Sequence, residues 1–467
     1  MADSVAEHPT WITSDRRLAR YVARPVARFL HVEASGGLLL LAATVIALVW
    51  ANSPWSGSYE SLWHTSIGVD VGSFEIREDL RHWVNDALMA LFFFVVGLEI
   101  KFELVRGQLS TTRDAALPAI GALGGMIVPA ILFLAFNLSG PGAPGWGIPM
   151  ATDIAFALGV LALLGDRVPS SLKVLLLGVA IADDIGAIVV IAVFYTDQID
   201  VSWLAGALAG LGLITVMRRA KVWYAPVYVV AGLGVWLCTL ESGIHATIAG
   251  VALGLLTPAH PLMPELEADR IADQLSSDTD ITASEVRTLG FALRESVSPA
   301  ERLEEALHPW TSYVIIPVFA LANAGIALNS SALGDAASSA VTAGVVVGLV
   351  AGKLTGISVS MWLAVRLGAG RLPQDITWRH VTAMAAIAGI GFTVSIFVSG
   401  LAYTDPALAD QAKIGVLAAS ALAAIIGSVM LLTTPKGSPP DDHMKDRQAR
   451  AMPSAAAAMD TTVVPTT

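Results

Sequence analysis

Charge and cysteine are what this sequence has least of. Only 14% of its 467 residues are Asp, Glu, Lys or Arg, where a soluble domain carries about 25%. With 55% hydrophobic residues and a mean hydropathy of +0.66, the chain reads as a multi-span membrane protein. Its single cysteine, Cys238, excludes an intramolecular disulfide framework and a cysteine metal cluster. Basic residues are also in deficit. The 28 Lys and Arg face 39 Asp and Glu, a formal charge of -11, which argues against nucleic acid as a partner. Ser14-Asp15-Arg16-Arg17 has the paired arginines of an export leader, but no short apolar core with a small-residue cleavage site follows. No cleaved signal is expected, and the segment reads as the basic cytoplasmic flank of the first span.

Apolar runs are what the sequence has in abundance. Twelve read as spans, near residues 35–51, 82–104, 116–138, 147–164, 171–195, 202–217, 223–240, 244–257, 310–328, 340–365, 380–401 and 411–432. The fold class is therefore an all-α integral membrane protein of about twelve transmembrane helices. Loops after even-numbered spans hold Lys101, Arg106, Arg113, Arg167, Lys173, Arg218, Arg219, Lys221, Arg366, Arg371 and Arg379. The opposite loops hold little basic charge beyond Arg77 and Arg81. That asymmetry places both termini in the cytoplasm. The expected division is a cytoplasmic segment over residues 1–30, a span domain over 31–435 and a disordered cytoplasmic tail over 436–467, rich in Pro, Ala and Thr. Within the domain, the loop 258–307 is long and acidic. It holds two capping-box starts, Thr282 to Glu285 and Ser298-Pro299-Ala300-Glu301. The outer loop between Asn52 and Leu80 has short alternating runs around Ile67 to Ile76 that fit a small hairpin.

Against this apolar background a few charges stand out. Asp183 and Asp184 are neighbours within Val174 to Tyr195. A charge at membrane depth costs at least several kcal/mol, so the pair marks function. Helical neighbours point about 100° apart. One of the two can face a water-filled cavity while the other faces a neighbouring helix. Span four carries Pro149 ahead of Thr152 and Asp153, and span eleven carries Gly389-Ile390-Gly391-Phe392-Thr393. Both patterns interrupt a helix, and matching interruptions point to a midplane site inside an inverted repeat, here spans three to five and ten to twelve. Where two broken helices cross, their half-helix ends need an acid and a base. Asp153 and Lys353 are the available pair. The bland alternatives are a simple helix cap for Asp153 and snorkelling for Lys353. Gly352 and Gly356 beside the lysine favour an inward position.

Together these residues resemble the NhaA-type sodium/proton antiporters. The matching stretches are Pro149 to Leu158, Ile181 to Gly186, Gly97 to Lys101 and Gly243-Ile244-His245-Ala246-Thr247. Leu307-His308-Pro309-Trp310, Ala322-Asn323-Ala324-Gly325 and Gly389 to Thr393 extend the match over residues 30–435. The resemblance implies two interrupted, crossing helices and exchange of Na⁺ or Li⁺ for H⁺ across a bacterial inner membrane. Asp184 would be the main Na⁺ ligand, with Asp183 its partner in proton release and Lys353 coupled to Asp183. Thr152 and Asp153 would sit at the crossing. Glu99, Glu304 and His308 would lie near the cytoplasmic mouth, where the family tunes activity to pH. The chain departs from the pattern at Phe102 and Glu241, where some members carry a base, and at Glu305, where some carry histidine. No cofactor is implied. Partners are Na⁺, Li⁺, H⁺ and the lipid bilayer, with a homodimer left open.

Two rival classes fit the pattern less well. An intramembrane aspartyl protease needs two aspartates from different helices sharing a proton, whereas Asp183 and Asp184 are adjacent. A passive cation channel needs an acidic ring, whereas the charges here gather at one site per chain, between two broken spans.

Overall fold

The computed structural model describes residues 35–71, 74–107, 110–196, 199–220, 222, 224–261 and 282–434. The expected N-terminal segment and tail lie outside them, as does the middle of the acidic loop. Helix occupies each of the apolar stretches read from the sequence. By length and hydropathy alone, six of the described helices can cross a membrane, or eight if each of two bent pairs is one span. The lower count has a local cause, because several spans are short or divided.

Span one is α1 (Ser35–Ala51). The chain then turns by 115° into the short α2 (Ser56–Trp63), whose Tyr59 and Trp63 are buried. The expected hairpin is present, with β1 (Ser66–Val71) antiparallel to β2 (Phe74–Asp79) and Ser66 opposite Asp79. Span two begins as α3 (Leu80–Trp83), passes through a π turn (Val84–Leu88) and continues as α4 (Met89–Val105). The third is α5 (Thr112–Asn137), bearing Pro118 and Pro129. Span four is a 3₁₀ segment (Ala143–Met150) followed by α6 (Ile154–Leu163). Next come α7 (Ser170–Phe194), α8 (Val201–Arg219), α9 (Ala225–Glu241) and α10 (Thr247–Leu256).

What the structure describes of the acidic loop folds as α11 (Ala283–Glu295) and α12 (Pro299–Trp310). Ser298 caps α12 by accepting from the Glu301 amide, and Arg302 bonds to Glu295 at 3.0 Å to hold the two helices together. The Glu285 half of the capping box expected from Thr282 to Glu285 lies outside the described side chains. A π turn (Thr311–Ile315) then leads into α13 (Ile316–Asn323). After α14 (Ser330–Ser338), span ten runs as α15 (Ala340–Val347), a π turn (Gly348–Gly352) and α16 (Lys353–Arg366). Span eleven is α17 (Trp378–Ile387) and α18 (Phe392–Ala402), bent by 47° at the break, and α19 (Pro406–Thr433) closes the bundle.

Lipid tails give no hydrophobic drive for helices to associate, so close backbone approach has to supply the attraction. Gly124 of α5 and Gly356 of α16 show this directly. A methyl group on Gly356 would lie 2.2 Å from the Gly124 carbonyl oxygen, and one on Gly124 would lie 2.4 Å from that of Gly356. This contact holds the helix that begins at Lys353 against span three. Gly400, in contrast, has nothing within 4 Å of an added methyl. Gly356→Ala should therefore destabilise the detergent-solubilised protein by about 1–3 kcal/mol, as overpacking does. Gly400→Ala should be neutral or mildly stabilising, because alanine is the better helix former. Equal melting temperatures for the two variants would mean that the α5–α16 approach carries no such constraint.

Candidate functional site

The interruption in span four starts from its prolines and glycines, which leave the stretch before Ala151 as 3₁₀ helix. Ala151 to Asp153 are then extended, and α6 starts at Ile154. Span eleven breaks over Ala388 to Gly391, so α18 restarts beside Thr393. The two breaks meet. The Asp153 amide donates to the Ile390 carbonyl at 2.7 Å, a backbone bond that joins the two breaks.

Asp153, only 2% exposed, sits on two helix N-termini at once. One carboxylate oxygen accepts from the Phe156 amide at 2.9 Å, at the start of α6. The other accepts from the Thr393 amide at 3.0 Å and the Thr393 hydroxyl at 2.5 Å, at the start of α18. A negative group belongs there, because free amides and the helix dipole both favour it. Lys353 does the converse. Its ammonium, 0% exposed, donates to the Met150 carbonyl, to the Thr152 hydroxyl at 3.0 Å and to the Asp183 carboxylate. An ammonium has three protons to donate, and here each has an acceptor. Thr152 Oγ1 also lies 2.8 Å from Asp183 and 2.9 Å from the Ala388 carbonyl at the end of α17. With one proton, that hydroxyl can donate to only one of them at a time.

The neighbouring aspartates face different surroundings. Asp183, 0% exposed, points at Lys353, and its Oδ1 has no hydrogen-bond partner among the described residues. Asp184 lines a cavity of about 520 Å³, together with Thr152, Asp153 and Thr393. Glu99 of α4 lines the same cavity. Lys173 near the start of α7, with Glu304 and His308, also lines its wall.

Glu304 and His308 are one turn apart on α12, at the solvent end of span nine. Burial raises the Glu304 carboxyl above the usual range, and the Glu301 and Glu103 carboxylates add to this. Burial holds His308 below the ordinary histidine value. Their titrations are thereby drawn toward each other.

The structure thus brings Thr152, Asp183 and Lys353 into one hydrogen-bonded group, with Asp153 next to it at the break and Asp184 beside it on the cavity. It sets Glu99, Glu304 and His308 along that cavity's wall. Sequence reasoning did not single out Thr393, which holds Asp153, or the Met150 carbonyl, which receives Lys353. Thr393 left one signal, a hydroxyl just past the glycine break. A backbone carbonyl leaves none.

The family model described as Na⁺/H⁺ antiporter 1 matches residues 27–431. A Na⁺/H⁺ antiporter NhaA from Rhodopirellula baltica is 50% identical, over 88% of this chain and 94% of the relative. An NhaA 2 antiporter from Sorangium cellulosum is 48% identical, over 89% and 91% respectively. An NhaA 3 antiporter from Frankia alni is 46% identical, over 92% and 93%. A match of this reach leaves no room for an enzyme or an unrelated transporter: the chain belongs to the Na⁺/H⁺ antiporter 1 family.

Proposed function

We propose that this chain exchanges cytoplasmic Na⁺, or Li⁺, for external H⁺ by alternating access at Asp183 and Asp184, and so contributes to sodium and pH homeostasis. It works in a bacterial cell membrane, with the span domain over residues 31–435 crossing the bilayer and both the acidic loop and the termini in the cytoplasm. The observation that carries this reading is the split of the pair, one carboxylate held by a buried lysine and its neighbour on a cavity. Charge asymmetry favours a mouth on the cytoplasmic side, since Lys173 lines the cavity and shares its basic loop with Arg167.

A hard cation prefers oxygen ligands. Asp184 and Asp183 supply carboxylates, and Thr152 a hydroxyl. A proton competes for the same carboxylate oxygens, so loading Na⁺ on one side expels protons there. Lys353 couples the two, because any occupant that neutralises Asp183 weakens its hold on the ammonium. Alternating access then makes the exchange vectorial, and the proton gradient drives Na⁺ out of the cell.

Asp184→Asn is nearly isosteric and sheds a buried charge, so the protein should still fold. In everted vesicles, adding Na⁺ or Li⁺ should dequench a pH-sensitive dye for the parent and leave it unchanged for this variant. A variant that kept the parental response would sink the assignment.

The mouth yields a second prediction. As pH rises, His308 loses its proton below the ordinary histidine range and Glu304 loses its own above the ordinary carboxylate range, so the mouth becomes more negative. That change favours cation entry, and acidification reverses it. Glu304→Gln and His308→Ala should shift the pH profile of exchange and flatten its acid limb, with the maximal rate largely kept. If both variants reproduced the parental profile, the pair would be only a solvated helix end.

A further inference from the structure

At eight residues, the 3₁₀ segment Ala143–Met150 is well beyond the three or four that such helices usually reach. It opens Ala143–Leu163, a stretch long and apolar enough to cross a membrane, where unmet backbone groups would be costly. Its carbonyls are met by side chains from other elements. Tyr403 donates to Gly142 at 2.8 Å, Tyr195 to Pro144 at 2.7 Å, and Ser395 to Ile148 at 2.8 Å. Lys353 takes Met150 at the far end. The Tyr195 hydroxyl also accepts from the Gly147 amide at 3.1 Å, so that single oxygen bridges a donor and an acceptor of the same segment.

Both phenols sit where only glycine admits them. A methyl on Gly145 would be 2.0 Å from the Tyr403 hydroxyl, and one on Gly147 would be 2.7 Å from that of Tyr195. The rings are themselves buried, at 9% and 6% exposure for Tyr195 and Tyr403. Each tyrosine ends a helix that also carries the site. Tyr195 follows α7, which bears Asp183 and Asp184, and Tyr403 follows α18, which starts at the Thr393 clasp on Asp153. The segment is therefore fixed at both ends. At one end are two phenols, and at the other are Lys353 and the Thr152 contacts.

We propose that Tyr195 and Tyr403 are positioning residues for ion exchange, acting through the 3₁₀ segment to set the Met150 carbonyl and the Thr152 hydroxyl against Lys353 and Asp183. This rests on the proposed role of Asp183 and Asp184. Neither phenol touches the ion. Removing a hydroxyl and keeping the ring frees the far end of the segment, and Lys353 and Asp183 then lose their fixed spacing.

The test is Na⁺-dependent exchange in everted vesicles by Tyr195→Phe, Tyr403→Phe and the parent, with KM and maximal rate measured separately. Tyr228→Phe is the control, since its hydroxyl donates to the Val222 carbonyl at 3.0 Å, away from the site. The KM for Na⁺ should rise about threefold to tenfold in each site variant, the range of one lost hydrogen bond. Maximal rate should change less, and Tyr228→Phe should keep the parental KM. Parental KM values in both site variants, or an equal rise in Tyr228→Phe, would overturn the positioning role while leaving the antiporter assignment intact. A parent chain without Na⁺-driven proton movement would overturn both.

Discussion

A fully buried ammonium is the constraint on which the centre of this bundle depends. Lys353 lies inside a membrane protein with no access to water, and removing a charge from water costs several kcal/mol unless partners replace the lost hydration. Three acceptors do so: the Met150 carbonyl, Thr152 and Asp183. Each comes from an element that has been shaped to deliver it. Span four is broken so that Met150 and Thr152 can reach inward, and α7 aims Asp183 across at the lysine. The π turn over Gly348–Gly352 ends at the residue before Lys353, and the close approach of Gly356 to Gly124 keeps α16 in place.

The broken helices follow from the same accounting. Breaking two helices inside a membrane frees backbone amides and carbonyls that lipid cannot satisfy. The amides at the starts of α6 and α18 are given to one carboxylate, Asp153. The carbonyls ending the 3₁₀ segment and α17 are given to Lys353 and Thr152. Charges of opposite sign thus sit on opposite helix ends, without any direct bond between Asp153 and Lys353. What remains is Asp184, whose neighbours do not satisfy it in this way and which lines the cavity. The arrangement leaves one carboxylate available to an occupant arriving from solvent.

Much of this was legible in the sequence because charge inside apolar runs is rare and costly. Asp183, Asp184, Asp153 and Lys353 stood out for that reason, and Pro149 and Gly389 marked the breaks because each falls beside polar residues within an apolar run. The different surroundings of Asp183 and Asp184 followed from the angle between helical neighbours. Hydroxyls and backbone carbonyls were not legible. Thr393, Tyr195 and Tyr403 are cheap to place in a span, and which carbonyl each reaches depends on contacts between segments far apart in sequence. The π turns at Val84–Leu88, Thr311–Ile315 and Gly348–Gly352 also left no trace, since they change hydrogen-bond register and not composition. Short apolar helices, Pro226–Glu241 and Thr247–Leu256, are one reason why fewer described helices reach a membrane-crossing length than the apolar runs imply.

The central claim is that Na⁺ and H⁺ compete for the same carboxylates, and the pH dependence of Na⁺ affinity tests it most directly. Apparent Na⁺ affinity of the purified, reconstituted protein should be measured across the titration range of the pair. If the account is right, affinity weakens as pH falls, approaching about tenfold per pH unit where one proton competes. An Na⁺ affinity that stayed constant over that range would contradict it.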